Sequence, residues 1–291
     1  MFKLHLAGSI GQLTIMQRIH SALTPEWGGH LVRLGVLAYI GALVLLPLAA
    51  LAQHGLADGL DAFWQAIGGA GARHALWLTI WSAAAMALIN ALMGTATAWA
   101  LVRYEFHGRA LLSSLVDLPF AIPTLVTGVM LVVLYGPRGL IGGWLSESDL
   151  KIAFATPGIL LALLFVTLPF VVRAVEPVLL EQDPAEEEAA RTLGAGSLTI
   201  FLRVLLPPLL PAILSGAVRS FARALGEFGS IVVVSGNIPF KTLTAPIYIF
   251  GEIEAGNPAG AAAVSLILLL LAVALTYAAR VLERLAGARD V

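Results

Sequence analysis

Residues 152–172 read IAFATPGILLALLFVTLPFVV and contain no Asp, Glu, Lys or Arg. A helix rises 1.5 Å per residue, so about 20 apolar residues are needed to cross a hydrocarbon core of about 30 Å. This stretch is therefore long enough to span a bilayer as a helix. Four more blocks without these charged residues occupy positions 34–53, 75–102, 118–137 and 259–279.

A sixth apolar block, residues 204–240, is equally long but contains Arg219, Arg223 and Glu227. The composition also indicates a membrane protein, because 59% of the residues are hydrophobic and only 12% are charged. Soluble domains contain about 25% charged residues. We therefore predict an all-α integral membrane protein with six transmembrane helices.

The amino-terminal part of the chain is predicted to be an arm followed by a membrane anchor. Residues 1–30 form the arm, which contains Pro25 and the pair Gly28-Gly29, and residues 31–55 form the first transmembrane helix. Residues 50–52, Ala-Leu-Ala, resemble a signal-peptide cleavage site. However, the sequence before the hydrophobic block is longer than a normal signal-peptide n-region, so we expect a retained anchor.

The other five helices are predicted to form one transmembrane domain over residues 70–285. Basic residues lie mostly on one side of the predicted spans, and this side should face the cytoplasm, together with both termini. The richer side holds Lys3, Arg18, Arg33, Arg103, Arg109, Arg173, Arg191, Arg203, Arg280, Arg284 and Arg289, and the other holds Arg73, Arg138, Lys151 and Lys241.

Several classes of function receive no support from the sequence. The formal net charge is −1, which gives no indication of nucleic-acid binding, and there is no cysteine for a thiolate metal site. The six histidines form no cluster along the chain, so we expect no metal site. No Gly-Lys-Ser or Gly-Lys-Thr phosphate-binding sequence is present. We therefore predict no catalytic residue and no bound cofactor in this chain.

The inner loop at residues 181–207 is long, charged and helix-forming. Asp183 can cap a helix that begins at Pro184, and Glu186 stands three positions after the cap, as in a capping box. Gly194 can end this helix in the left-handed conformation. A second short helix is expected from Ser197 to Leu206, ended by the two prolines that follow.

The same loop carries a motif that resembles a known one. Glu188-Ala189-Ala190, three residues, Gly194, nine residues and then Val-Leu-Leu-Pro207 resemble the EAA motif of the permease subunits of bacterial ABC importers. We call residues 181–207 the EAA loop. The resemblance implies that Glu188, Ala189, Ala190, Leu193, Gly194 and Pro207 couple this chain to a separate ATPase.

Other stretches resemble the sulfate/thiosulfate T-type permease within that family. They are residues 117–124 (DLPFAIPT), 169–178 (PFVVRAVEPV), 220–229 (SFARALGEFG) and 235–242 (SGNIPFKT). The resemblance covers roughly residues 60–280. It implies a type I ABC importer fold, similar to the molybdate and methionine permeases.

The implied partners are two ATPase subunits that hold ATP and Mg²⁺, a homologous second permease of the W type and a periplasmic sulfate/thiosulfate-binding protein. Whether the permease pair is a heterodimer or a homodimer stays open at this stage, as does the order of preference among sulfate, thiosulfate, molybdate and tungstate. A molybdate/tungstate permease, a stand-alone secondary anion transporter and a membrane scaffold without transport remain the alternatives. The second alternative predicts internal repeats and broken helices, and we find no repeat.

The charged residues of the sixth block recur every four positions, which would place them on one face of a continuous helix. A charge at mid-bilayer costs at least about 3 kcal/mol, so these side chains should face protein or a water-filled cavity. A basic face could offset the desolvation of a divalent oxyanion, or Arg223 and Glu227 could pair within the bundle. We favour pairing for these two residues. Arg219, with no acidic residue one turn away in the sequence, is the better candidate for the translocation pathway.

The start of the third block supplies three further pathway candidates, Asp117, Pro119 and Pro123. Proline bends a helix because it lacks an N–H donor. The bend could be the hinge of a gate or an ordinary packing kink, and the sequence leaves both possibilities open. Arg173 and Glu176, three positions apart near the end of the fourth span, are predicted to form an ion pair beside the EAA loop.

Overall fold

The computed structural model describes residues 26–146, 148 and 151–287. Within these ranges all regular secondary structure is helical. Residues 1–25 of the predicted arm, including Lys3 and Arg18, lie outside the described residues, as does Arg289. The helices are α1 (Glu26–Ile40), α2 (Leu46–Gly55), α3 (Gly59–Gly68), α4 (Ala70–Arg103), α5 (Arg109–Ala121), α6 (Thr124–Tyr135), α7 (Leu140–Ser146), α8 (Thr156–Glu181), α9 (Pro184–Thr192), α10 (Ser197–Ile200), α11 (Leu206–Leu225), α12 (Gly229–Val234), α13 (Ala245–Glu254) and α14 (Pro258–Gly287).

The chain divides into two units, residues 1–53 and 54–291. In the first unit, α1 continues through a π-helical turn, Gly41–Leu45, into α2. The segment His30–Gly55 is long and apolar enough to cross a membrane, as predicted. The helix already begins at Glu26, so residues 26–30, with both of their glycines, belong to the helix rather than to the predicted arm.

The second unit supplies the remaining spans of the described chain. Four single helical segments are long and apolar enough to cross a membrane, and α5 with α6 makes a further span if the bent pair is counted as one. With that count, the predicted number of six spans is matched. The four segments are Ala70–Arg103, Thr156–Glu181, Ser197–Leu225 and Pro258–Ala278.

The third predicted span is broken rather than continuous. Helices α5 and α6 meet at an angle of 115° around Ile122 and Pro123. Pro123 forces the preceding residue out of the helical region, and Ile122 is accordingly extended, with φ −85° and ψ 126°. Pro119 lies inside α5 and removes another N–H donor from its last turns. The predicted bend is therefore present, and it divides the block into two helices.

The span predicted from the sixth apolar block, residues 204–240, departs from expectation in two places. The prolines at 207 and 208 do not end the preceding helix, because α10 continues through a π-helical turn, Phe201–Leu205, into α11. Proline is tolerated in the first turn of a helix. At the other end, α11 stops at Leu225, so Glu227 lies beyond the helix and does not share a continuous helical face with the two arginines.

The core of the second unit is the packing of α4, α8 and α11 against one another. Two glycines allow close approach at Val171 of α8. A Cβ atom added to Gly94 would lie 2.8 Å from Val171 Cβ, and one added to Gly216 would lie 2.8 Å from Val171 Cα. Small residues at helix crossings are characteristic of membrane proteins, where packing rather than hydrophobic burial drives association.

Buried hydrogen bonds connect the same three helices. Asn90 of α4 donates its amide to the hydroxyl of Thr167 on α8 at 2.8 Å, and Ser220 of α11 donates to the Thr167 carbonyl at 3.2 Å. All three polar side chains are buried. These bonds and the glycine contacts determine the relative positions of the spans that flank the EAA loop, which are α8 and α11.

Candidate functional site

The first helix of the EAA loop begins and ends as its sequence predicts. The carboxylate of Asp183 accepts a hydrogen bond of 2.9 Å from the N–H of Ala185, and Pro184 is the first residue of α9. Gly194 follows α9 with φ +83°, a conformation that L-residues with a Cβ rarely adopt. Its N–H donates to Arg191 O, and the next N–H, of Ala195, donates to Ala190 O. The predicted cap and glycine stop are confirmed.

Most of the predicted coupling residues lie on the exposed surface of this loop. Leu193 is 87% exposed, and Glu188, Ala189 and Pro207 are also exposed, whereas Ala190 is half-buried. A large apolar side chain this exposed, next to small residues, is available for contact with another protein. Except for Pro207, which lies in the first turn of α11, these side chains belong to α9 or directly follow it. Their role in coupling stays a prediction.

One side chain of α9, that of Glu187, is directed toward the end of α4 instead of toward solvent. Glu187 makes a 3.0 Å ion pair with Arg103, the last residue of α4, and a 3.3 Å ion pair with Arg191 in its own helix. Gln182, at the end of α8, lies 3.4 Å from Arg103 through its side-chain oxygen. The contact of Glu187 with Arg103 was not predicted, since the two residues are far apart in the chain. The available signal was that Arg103 directly follows an uncharged span.

Two of the three charged residues of the sixth block, Arg223 and Glu227, form an ion pair, and only Glu227 is buried. Arg223 Nη1 lies 2.9 Å from Glu227 Oε2, so the predicted pairing of these residues is confirmed. The other carboxylate oxygen of Glu227 accepts hydrogen bonds from Ser230, at 2.9 Å from its N–H and 2.8 Å from its hydroxyl. Glu227 is 1% exposed and Arg223 is 37% exposed by side chain. Arg219 lies on the exposed surface of α11.

The two helix breaks are packed against each other. The helix α6, which begins after the bend at Pro123, contacts the short helix α12, which begins after Glu227. A Cβ added to Gly128 of α6 would lie 2.6 Å from the carbonyl oxygen of Ser230, and one added to Gly229 would overlap the hydroxyl of Thr124. The structure thus brings the predicted bend close to the buried carboxylate.

Asp117, a pathway candidate, forms a separate polar cluster between α5 and α8. Its carboxylate binds Arg173 in bidentate fashion, with distances of 2.8 Å to Nε and 2.6 Å to Nη2. Arg173 also donates to the carbonyl and the hydroxyl of Ser113, both at 2.9 Å, and pairs with Glu176. The predicted Arg173–Glu176 pair is confirmed. The contact with Asp117 was not predicted, and it explains how α5 is held against α8.

The described residues contain no group of three His, Cys, Asp or Glu side chains arranged to hold a metal ion.

Together, the fold and the site define a class, a multi-span helical membrane protein with an exposed, capped helix between two spans. The chain belongs to the family of binding-protein-dependent transport system inner membrane components, whose family model matches residues 91–287. It is therefore a multi-pass permease component of the inner membrane.

Several relatives are similar over most of the chain. A probable sulfate transport system permease protein cysT of Nephroselmis olivacea is 43% identical, covering 94% of this chain and 93% of its own. The sulfate transport system permease protein CysW of a Synechocystis species is 43% identical, with coverage of 86% and 91%. The CysT protein of Escherichia coli is 38% identical, with coverage of 90% and 95%.

Solved structures show the same fold at low sequence identity. A chain of a bacterial alginate ABC transporter, crystallised with its alginate-bound periplasmic protein, has a TM-score of 0.74 and 18% identity over 89% of this chain and 94% of that chain. A chain of the inward-facing MetNI methionine ABC transporter has a TM-score of 0.53 and 19% identity over 75% of this chain and 99% of that chain. The predicted type I ABC importer permease fold is confirmed.

Proposed function

We propose that this chain is the T-type permease subunit of an ATP-driven ABC importer that moves sulfate and thiosulfate from the periplasm to the cytoplasm. The substrate is inferred from the relatives, which are named as sulfate transport permeases. The T type is inferred from the resemblances at residues 117–124 and 235–242. Relatives named CysT and CysW are both 43% identical, so assignment to the T type depends on those stretches.

The observation that carries the coupling role is the exposure of α9. Ala189 of α9 and Leu193, which directly follows this helix, are exposed, whereas the buried Glu187 joins α9 to α4. A helix with this arrangement can insert its exposed ridge into a groove of another protein and remain joined to its own bundle. We infer that the groove belongs to an ATPase subunit, which binds ATP and Mg²⁺, so that this chain is not itself the enzyme.

The proposed assembly contains two ATPase subunits, this chain, a homologous W-type permease and a periplasmic sulfate/thiosulfate-binding protein. Both termini of this chain lie in the cytoplasm, as the distribution of basic residues indicates. Closure of the ATPase dimer would draw the two EAA loops together and open the cavity between the permeases outward. The anion would enter from the binding protein, and ATP hydrolysis would return the cavity to the inward-facing state.

The passage of a divalent anion requires weak interactions along the pathway, since a conduit must release what it binds. Arg223 has its charge balanced by Glu227, which suits this requirement. We propose that the exposed Arg219 contributes positive potential to the pathway, and that the Pro119–Pro123 bend forms part of its wall. The ion pair of Asp117 with Arg173 would hold that wall against α8.

The coupling role is tested by co-purification of the ATPase subunit with this chain from membranes. Wild-type chain should retain the ATPase, whereas Glu188→Lys and Gly194→Asp should lose most of it. The first variant reverses a charge on the exposed surface of α9, and the second adds a charge directly after this helix. Glu105→Lys reverses an exposed charge outside the loop and serves as the control. Assembly and uptake that survive both loop variants would reject the proposed coupling role.

The substrate is tested by competition uptake in vesicles that contain the complete complex. Unlabelled thiosulfate should suppress uptake of labelled sulfate, whereas molybdate and tungstate should suppress it weakly. Preferential transport of molybdate would reject the sulfate assignment and favour a molybdate/tungstate permease. This outcome would leave the coupling role unaffected.

A second candidate function is a stand-alone secondary anion transporter. The observation in its favour is the pair of helix breaks, at Ile122–Pro123 and after Leu225, because broken helices at the substrate site characterise many secondary transporters. The two candidates differ in their energy source. Uptake of sulfate by vesicles that contain this chain alone, driven by an ion gradient and without ATP, would favour the second.

A further inference from the structure

We propose that Arg103 is a positioning residue that joins α9 to the span α4, so that movement of α9 reaches the membrane-spanning bundle through this side chain. The inference rests on the proposed function, because it assigns a route for the force that an ATPase would deliver. We call Arg103, Trp99, Gln182, Glu187 and Phe201 the Arg103 joint.

The first part of the joint is electrostatic. Arg103 Nη2 lies 3.0 Å from Glu187 Oε1, and the two side chains are only 17% and 12% exposed. Gln182 offers its side-chain oxygen to the same nitrogen at 3.4 Å. Both partners belong to the segment around α9, whereas Arg103 ends the long span α4. The pair therefore connects two elements that are distant in the sequence.

The second part of the joint is a layer of aromatic rings. The guanidinium carbon of Arg103 lies 5.6 Å from the centre of the Trp99 ring, within the range of a cation–π interaction. The Trp99 ring meets Phe201 edge to face at 5.9 Å between centroids. Phe201 begins the π-helical turn that leads into α11. The side-chain amide of Gln182 adds a 3.2 Å hydrogen bond to the carbonyl of Leu205 in the same turn.

Three elements therefore meet at Arg103, namely α4, the segment containing α9 and the start of α11. The other ion pair of Glu187, with Arg191, lies within α9, and Arg191 is 61% exposed, so this pair cannot transmit movement to another helix. The Nε atom of Arg103 is buried and has no hydrogen-bond partner among the described residues. Loss of Glu187 would leave the guanidinium with one polar contact, at 3.4 Å, and a partly buried charge without compensation.

This geometry gives Arg103 a role that differs from general stabilisation. The proposed docking surface of α9 faces solvent, and Glu187 of α9 forms an ion pair with Arg103 of α4. If the contact is removed, α9 can still bind an ATPase but can shift without displacing α4. The expected defect is therefore the loss of coupling between ATP hydrolysis and transport, with assembly retained.

The test measures ATP hydrolysis and sulfate uptake in the same proteoliposomes, which contain the complete complex with its binding protein. In Glu187→Gln and Arg103→Gln, we expect the number of ATP molecules hydrolysed per sulfate delivered to rise about fivefold or more, a typical size for coupling between sites. Arg103→Lys keeps the charge and should give an intermediate ratio. The controls are Arg109→Gln and Glu105→Gln. Each removes a charge of the same sign as one test variant, at a position close to Arg103 in the sequence, and should leave the ratio unchanged.

The outcomes separate the joint from the proposed function. Wild-type complex that does not bind an ATPase subunit would reject the proposed function itself. If ATP hydrolysis and sulfate uptake are coupled equally well in the wild-type complex and in the glutamine variants, only the role of Arg103 is rejected. Hydrolysis and uptake that fall in the same proportion would also reject it, since the ratio would not change. Glu187→Gln is isosteric and reports on the joint even if the arginine variants fail to assemble.

Discussion

Removal of the positive charge at position 223 should destabilise the protein more than removal of the negative charge at position 227. In Arg223→Gln, the carboxylate of Glu227 stays buried, at 1% exposure, with Ser230 as its remaining donor residue. In Glu227→Gln, the side-chain oxygen can still accept from Ser230, and Arg223 is exposed enough to turn its guanidinium toward water. The two variants thus differ in which charge is left without a partner.

The magnitudes follow from that difference in burial. Removal of one partner from a buried ion pair costs about 3–5 kcal/mol. Because Arg223 is partly exposed, the loss of stability in Arg223→Gln should lie at the low end of this range, about 3 kcal/mol. For Glu227→Gln, the loss of one charge-assisted hydrogen bond costs about 1.5–2 kcal/mol. The double variant removes both charges and should be more stable than Arg223→Gln alone, with a coupling free energy of about 3 kcal/mol.

The assay is thermal unfolding of the purified protein in detergent, for wild type, both single variants and the double variant. We expect Arg223→Gln to lower the melting temperature by about 5–10 °C, and Glu227→Gln by about half as much. Sulfate uptake by the assembled complex is measured with the same four proteins. The double variant should recover part of the melting temperature that Arg223→Gln loses.

Two results would refute this reasoning. If Arg223→Gln destabilises the protein no more than Glu227→Gln does, the buried carboxylate is not stabilised by the arginine. Wild-type stability of Arg223→Gln combined with lost uptake would mean that the arginine acts on the anion instead of stabilising the bundle.

Two glycine predictions have matched controls. Gly194→Ala places a Cβ at φ +83° and should destabilise the end of α9 by about 1–2 kcal/mol. The expected result is faster amide hydrogen exchange over residues 190–196. The control Gly196→Ala, at φ −73° and with open space around the added Cβ, should leave the exchange unchanged. Gly128→Ala, with its Cβ 2.6 Å from a backbone oxygen of α12, should cost about 1–3 kcal/mol in thermal unfolding. Gly251→Ala, which meets no atom within 4 Å, should not. Unchanged exchange in Gly194→Ala, or equal melting of Gly128→Ala and Gly251→Ala, would contradict these predictions.

The local chemistry of the EAA loop could be read from the sequence because it depends on near neighbours. Asp183 caps the helix from two positions before Ala185, and Gly194 ends it within a turn of its last residues. The pair of Arg223 with Glu227 was predictable for the same reason, although the helix between them ends at Leu225. Spacing along the chain suffices when both partners lie within about one turn.

Interruptions within a span could be predicted only in part from the sequence. An uncharged block such as 118–137 satisfies the length criterion for a straight helix, and Pro119 and Pro123 predicted only a bend. The 115° break depends on what the freed end of the helix packs against, which is α12 at Gly128. The prolines at 207 and 208 were overestimated as helix breakers, because the π-helical turn before them carries the helix into α11.

The sequence by itself determined that this chain lies in a membrane, where its spans fall and how its inner loop begins and ends a short helix. These properties follow from hydrophobicity, the absence of charge and capping, which act over a few residues. The tertiary structure alone decided that Glu187 meets Arg103, that Asp117 meets Arg173 and that the two broken helices meet at a glycine. Such contacts join residues far apart in the chain, and only the packing of one helix on another brings their side chains within bonding distance.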